Sequence, residues 1–372
     1  MKFINNLTRI KRQEKMNKII SLIAFCLALA VGQAQNVQRN LISIGMKDTT
    51  AVGFLKEDVQ KITTQKVDIK DYLDNWLVSV MLKDNTERQF KVHSLDKVQF
   101  SQFEVPSSTT MSLRIMQFNI REDKQEEPEY NTFTGVRAAA IQKMVSEINP
   151  DIICLQECRK TQAAYLEKAL PEYSQVLFPK DGNTSNGGQR DVVMYKKNKV
   201  RVASWDKFWF SETPNVSSLS WDAKTAKVTL WVQFYDPNDR NKRFYVYCTH
   251  FPPSAPEAMG HAVDMIISSI QEKTGGTLPA FLCGDLNLNY TNAILDPLKA
   301  YMNHAASTAL VSDGVQAITY NGYRDTNLKT LDHIFYRNAI VETYHVDNYQ
   351  YKYASNCKWI SDHYPLYSDV RF

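Results

Sequence analysis

Residues able to handle protons, cations or phosphate stand at the ends of apolar runs along this sequence. Asn119 closes the run 113–118, Glu157 closes 151–156 and His250 closes 244–249. Asp285 and Asn287 follow 278–283, Asp332 lies within 331–336, and Asp362 and His363 precede a last apolar stretch. Strand ends and the loops after them are where a rigid scaffold presents function. Hydrolysis of a phosphate ester needs a cation on the phosphoryl oxygens, an activated water and a stabilised leaving oxygen. A hard cation such as Mg2+, with Mn2+ as the alternative, takes one or two carboxylates plus waters. Glu157 is the first candidate ligand, and Asn119 and Asp362 could complete or orient its shell. A histidine held by a carboxylate makes a base near neutral pH, because the carboxylate fixes the tautomer and stabilises the charged ring. His363 with Asp332 fits that role. Asn287 could donate a hydrogen bond to the phosphate, and Asp285 could orient water or a histidine. Each has a plainer reading as well: Glu157 as a surface carboxylate, Asp285 and Asn287 as turn formers, and His363 as a packing residue before Pro365.

The elements that must position these groups alternate along residues 113–372. Apolar runs at 113–118, 151–156, 192–195, 228–234, 244–249, 278–283 and 331–336 read as strands. Val136, Ala140, Met144, Val145 and Ile148 fall at helical spacing, and Asn149-Pro150 ends that helix. Ala258, Ala262, Met265, Ile266, Ser269 and Ile270 mark a second helix. Many strands and few helices predict an α/β fold in which sheets pack together with helices outside. Residues 36–105 differ: two stretches, 52–62 and 90–100, share a pattern of apolar alternation and an acidic turn, and 76–82 reads as a strand. This predicts a small β module without catalytic residues, joined by the linker Ser107-Ser108-Thr109-Thr110.

Five segments, in order, carry a resemblance. Leu113-Arg114-Ile115-Met116-Gln117-Phe118-Asn119-Ile120-Arg121, Asp151-Ile152-Ile153-Cys154-Leu155-Gln156-Glu157, Gly284-Asp285-Leu286-Asn287, Leu331-Asp332-His333-Ile334 and Ser361-Asp362-His363-Tyr364-Pro365-Leu366 resemble the successive motifs of the endonuclease/exonuclease/phosphatase superfamily. The resemblance implies a two-sheet β-sandwich flanked by helices, a four-layer arrangement spanning residues 111–372, with the site at one end of the sheets. It also implies metal binding at Glu157 and a base role for His363 oriented by Asp332. Tyr247-Cys248-Thr249-His250 is similar to the Thr-His motif of sphingomyelinases, pancreatic-type deoxyribonucleases and inositol-phosphate phosphatases, which implies that His250 assists the leaving group or phosphate. Segments 208–214 and Trp221-Asp222-Ala223 resemble a secreted bacterial subgroup, as do 119–123 and Arg137. Trp221, Asp222, Asp123 and Arg137 become candidate substrate contacts, with a scaffold role as the alternative. Lys227 stands where an arginine is expected, keeping the charge and losing the bidentate geometry; Phe251-Pro252-Pro253-Ser254 and His261 also depart from the pattern.

The bulk properties bound what remains. The chain of 372 residues is 44% hydrophobic and 23% charged, ordinary for a globular protein. Lys15 and Lys18 precede an apolar run from Ile19 to Val31 and Gly32-Gln33-Ala34, which reads as a signal peptide over 1–34, with Met16 as a possible start. That implies export to the periplasm or beyond, with no stable membrane insertion. Those residues carry six basic groups and one acid, so the net charge of +4 becomes −1 without them. No global positive field advertises a nucleic acid. Five cysteines remain, an odd number, and a Cys158–Cys357 bridge stays open. The sequence therefore predicts an exported Mg2+-dependent phosphoesterase, first a phosphodiesterase or nuclease. The alternatives are a phosphatase or phospholipase C-like hydrolase of sugar or lipid phosphates, and a non-catalytic binding protein on the same scaffold.

Overall fold

The computed structural model describes residues 36–46, 51–56, 59–66, 76–83, 87–92, 95–106, 110–124, 131–185, 187–324, 328–353 and 356–372. The segment read as a signal peptide lies outside them. The chain divides into two compact units between Ser108 and Thr109. The first holds β1 (Asn36–Met46), β2 (Ala51–Leu55), β3 (Val59–Lys66), β4 (Trp76–Leu82), β5 (Glu87–Lys91) and β6 (Leu95–Pro106). β2 and β6 flank β1, and β3, β4 and β5 form a second antiparallel ribbon. Ile42, Ile44, Val59, Val78, Val80, Phe90 and Leu95 make its core.

The second unit is a mixed α/β sandwich of two large sheets with helices outside. One sheet contains β7 (Ser112–Asn119), β8 (Ile152–Arg159), β9 (Tyr173–Pro179), β10 (Gln189–Lys196) and β17 (Leu366–Arg371), ordered β17-β7-β8-β10-β9. The other runs β11 (Arg201–Trp209), β12 (Val228–Asp236), β13 (Asp239–His250), β14 (Ala280–Asp285), β16 (Asp332–Arg337) and β15 (Asn303–His304). The central strands such as β8 and β14 are covered on both faces, so they read as continuous apolar runs, whereas β11 is largely exposed. Strand alternation sorts them. Ile152 and Cys154 enter the core between the sheets while Ile153 and Leu155 face α1 (Ala138–Ile148) and α2 (Lys160–Ala169). Phe244, Val246 and Cys248 likewise point inward, and Tyr245 and Tyr247 pack outward against α3 (Pro256–Thr274). Each fully buried large apolar side chain contributes about 1.5–3 kcal/mol.

Local signals end the helices. Asn149 caps α1 in the left-handed conformation and donates its N–H to Val145 O; Pro256 opens α3 and Gly275, also left-handed, follows it. Cys158 is a buried free thiol, so the bridge to Cys357 is not formed. No helix among the described residues is long and apolar enough to cross a membrane.

Register sets the site. On one sheet Gln117 lies across from Leu366 and Asn119 across from Gln156; on the other His250 pairs with Asp285, and Asp285 with Asp332. Lys227 immediately precedes β12, whose Thr229 pairs with Thr249. Functional side chains distant in sequence therefore lie level at one end of the sandwich. The close approach of β13 and β14 needs Gly284, where a Cβ would come within 2.6 Å of Thr249 Cγ2 and 2.7 Å of its carbonyl oxygen.

Candidate active site

His363 and Asp332 meet as an ion pair: His363 Nδ1 lies 2.7 Å from Asp332 Oδ2, with the two residues 4% and 0% exposed. The other Asp332 oxygen accepts from Gln117 Nε2 at 3.2 Å, and Thr319 Oγ1 accepts the Asp332 N–H. Gln117 is fixed in turn by reciprocal hydrogen bonds with Gln156. Asp332 therefore orients the ring with Nε2 turned toward Asp285 Oδ2, 3.7 Å away. Burial opposes charge on the His363 ring, but Asp332 and Asp285 outweigh it and push its pKa up to about 10. Asp285, Asp332 and His363 present potential ligand atoms within 4.8 Å of one another. The short contact commits His363 Nδ1 and Asp332 Oδ2 to each other and leaves Asp285 as the member of the three free to face a cation.

Asp285 is the hub. Its Oδ2 accepts from Asn119 Nδ2 at 3.0 Å and sits 3.4 Å from His250 Nε2, while Oδ1 accepts from the Asn287 N–H at 3.0 Å. Burial raises its pKa to about 7. Burial, with the charges of Lys227, His363 and Lys180, holds His250 well below its ordinary value. The neutral ring is favoured there, a form that can donate a positioned hydrogen bond.

Glu157 stands beside this hub at the end of β8 with φ of +60°, a strained conformation for a residue with a Cβ. Arg121 (φ +60°) and Asn287 (φ +53°) share that left-handed geometry. Among the described residues the Glu157 oxygens receive long hydrogen bonds, from Asn119 Nδ2 at 3.4 Å and from the Glu122 N–H at 3.3 Å. Arg121 Nη1 lies 3.9 Å from Glu157 and 3.4 Å from Asp362, so these two carboxylates flank one space. Asp362 is raised by burial against the pull of His363 and Arg121. A crowd of under-satisfied carboxylate oxygens, with no thiolate among them, suits a hard divalent cation. Asn119 turns its amide N–H groups toward Glu157 and Asp285 and its Oδ1 toward the Arg121 N–H, an arrangement that orients the carboxylates.

Lys227 completes the arrangement. It is 6% exposed, and its ammonium makes no hydrogen bond or ion pair among the described residues. Burial lowers its pKa to about 8 against the attraction of Glu157, while burial raises its neighbour Asp191 to about 8. Sequence reasoning noted Lys227 only as a departure and missed Asp191, whose one signal was a carboxylate opening the apolar run of β10.

The proposed substrate contacts need correction. Arg137 is fully buried and donates to the carbonyls of Asn131, Ile120, Ile360 and Arg121, so it ties segments together and cannot reach a ligand. Replacing Arg137 with alanine should cost about 3–5 kcal/mol, since those carbonyls lose a charged donor in a buried setting. The measurement is a melting temperature lowered by roughly 10 °C with kcat per folded molecule kept; intact stability would overturn it. Asp123 accepts from the Phe133 N–H and the Thr134 hydroxyl, and Asp222 caps α3 through the Glu257 and Ala258 N–H groups. Both are scaffold. Trp221 stacks on His261 at 4.0 Å with 13° between planes. The Asn287 side chain donates to Phe251 O, which commits part of the amide predicted for phosphate.

Comparison with known proteins agrees with this geometry. A family model for the Endonuclease/Exonuclease/phosphatase family matches residues 116–363. A protein of that family from Bacteroides thetaiotaomicron superposes with a TM-score of 0.66 at 25% identity, covering 72% of this chain and 97% of the other. A mannosyl-6-phosphatase of the same organism gives a TM-score of 0.64 at 25% identity, covering 70% of this chain and all of the other. An uncharacterised protein of Acanthamoeba polyphaga mimivirus is 28% identical over 248 residues, 62% of this chain and 89% of its own length.

Proposed function

The chain belongs to the endonuclease/exonuclease/phosphatase family and is a metal-dependent phosphoester hydrolase; from that premise we propose an exported, Mg2+-dependent enzyme that cleaves its ester by in-line attack of water. The observation that carries the reading is the His363–Asp332 contact of 2.7 Å beside the Glu157–Asp362 pair bridged by Arg121. Glu157, with Asp362 and Asp285 beside it, would hold the ion, whose charge would polarise the phosphoryl oxygens and offset the carboxylates that keep His363 protonated. His363 Nε2 accepts a proton from the attacking water while Asp332 keeps Nδ1–H in place. His250 offers its N–H to the leaving oxygen, and the Lys227 ammonium meets a phosphoryl oxygen.

The ester we favour is a sugar phosphate monoester. A largely buried ammonium with no hydrogen-bond or ion-pair partner among the described residues suits a dianionic phosphoryl group, a net charge of −1 without residues 1–34 disfavours a broad nucleic-acid surface, and the Bacteroides relative is a mannosyl-6-phosphatase. A phosphodiester or nucleic-acid substrate is the second reading, supported by the Thr249-His250 pattern. Export rests on residues 1–34, and cell fractionation tests it. For activity, the panel is mannose 6-phosphate, p-nitrophenyl phosphate, bis-p-nitrophenyl phosphate and DNA, each with Mg2+ and with EDTA. We expect Mg2+-dependent release of phosphate, greatest from the monoesters. Turnover insensitive to EDTA, or none on any of the four, would refute the proposal.

A further inference from the structure

Tyr320 occupies a place that no motif announced. The stretch Thr319-Tyr320-Asn321-Gly322 is fastened on two sides. Asn321 N–H and Gly322 N–H donate to Asp362 O at 2.8 and 3.0 Å, and Tyr364 N–H donates to Thr319 O at 2.7 Å. On the other side Tyr320 N–H donates to Lys329 O at 2.9 Å, and Thr319 Oγ1 accepts the N–H groups of Leu331 and Asp332. The turn thus bridges the two segments that deliver Asp332 and His363.

The phenol is clamped. Its ring meets His363 edge-on, with centroids 4.8 Å apart and 70° between planes. Beneath it lies Gly322 in the left-handed conformation at φ of +58°, where a Cβ would come within 3.0 Å of the phenol oxygen. Any other residue at 322 would displace the ring. Tyr320 is part-buried, and its hydroxyl makes no hydrogen bond among the described residues. The hydroxyl lies within electrostatic reach of Asp362, Arg121, Asp285 and Glu157, the groups that surround the cation and phosphate space. Burial, reinforced by those carboxylates, raises its pKa, so the group remains an O–H donor through neutral and mildly alkaline pH. A rigid donor beside His363, with no hydrogen-bond partner among the described residues, matches what stabilises charge developing on a phosphoryl oxygen, because no reorganisation is needed when the charge appears.

We propose that Tyr320 is a further catalytic residue, its hydroxyl donating a hydrogen bond to a nonbridging oxygen of the phosphoryl group under attack. This rests on the phosphoester reading above. Tyr320→Phe removes the hydroxyl and keeps the ring against His363 and Gly322. Its kcat/KM on p-nitrophenyl phosphate should fall about 10- to 100-fold, as for loss of one hydrogen bond to a charged group. Inhibition by inorganic phosphate should weaken, while melting temperature and Mg2+ affinity stay as in the parent. A packing role alone would leave Tyr320→Phe at full activity, because the phenylalanine ring preserves it. Activity within twofold of the parent with unchanged phosphate inhibition would therefore overturn the assignment while leaving the hydrolase standing. An inactive parent would sink both together.

Discussion

Glu157→Gln should reduce Mg2+-dependent hydrolysis about 1,000-fold while leaving the fold intact. Glutamine keeps the shape and one acceptor oxygen, so the long contacts with Asn119 Nδ2 and the Glu122 N–H survive in part. What disappears is the negative charge that makes the space between Glu157 and Asp362 attractive to a divalent ion. Such an ion contributes several kcal/mol of charge stabilisation, and each 1.36 kcal/mol is tenfold in rate. Binding carries a second signature. At 100 times its dissociation constant, Mg2+ should stabilise the parent by about 2.7 kcal/mol, a rise of roughly 5–10 °C in melting temperature. The variant should show little or none. A parent that ignores Mg2+ in this assay would revive the reading of a binding protein on a disused scaffold. A variant that keeps both activity and the thermal shift would remove Glu157 from the metal site.

Asp332→Asn should lower kcat about 1,000-fold with little change in KM. The aspartate is fully buried and holds His363 Nδ1 at 2.7 Å, while Gln117 pins its other oxygen. An asparagine there can present an N–H to Nδ1, which forces the proton onto Nε2 and removes the lone pair that accepts from water. In a histidine base held by a carboxylate, the wrong tautomer costs on the order of 10³–10⁴ in kcat. Stability should fall too, because the charged ring loses its partner in a dry setting, at about 3–5 kcal/mol. Kinetics should therefore be read well below the lowered melting temperature. His363→Ala should match the loss, and the double variant should add little, since the two residues act as a unit. More than a tenth of parental kcat in Asp332→Asn, or fully additive losses, would contradict the pair.

Why the strands were legible is physical. Their two faces are both dry, so whole runs such as 151–156 and 244–249 are apolar, and the polar residue ending each run marks where the sheet edge meets the site. Asn149-Pro150 stopped α1 for local reasons that need no tertiary context. The resemblance then linked Glu157, Asp332 and His363 across the chain. The substrate contacts were not legible, because Arg137, Asp123 and Asp222 have the same side-chain chemistry whether they face a ligand or a main-chain carbonyl or N–H. Only burial and partner geometry distinguish these cases.

By itself the sequence determined the central strands of the two sheets and which acids, amides and histidines stand at their ends, while the half-exposed strands β9 and β11 gave no apolar run to read. These are properties of neighbouring residues and their alternation. The tertiary structure alone decided that Lys227 lies buried with no partner among the described residues, that Asp285 faces both histidines, and that Tyr320 is wedged between Gly322 and His363. Each depends on strand register and on the facing of two sheets, which bring together side chains separated by tens to hundreds of residues. Their charges shift one another's proton affinity only once water has been excluded from the space between them.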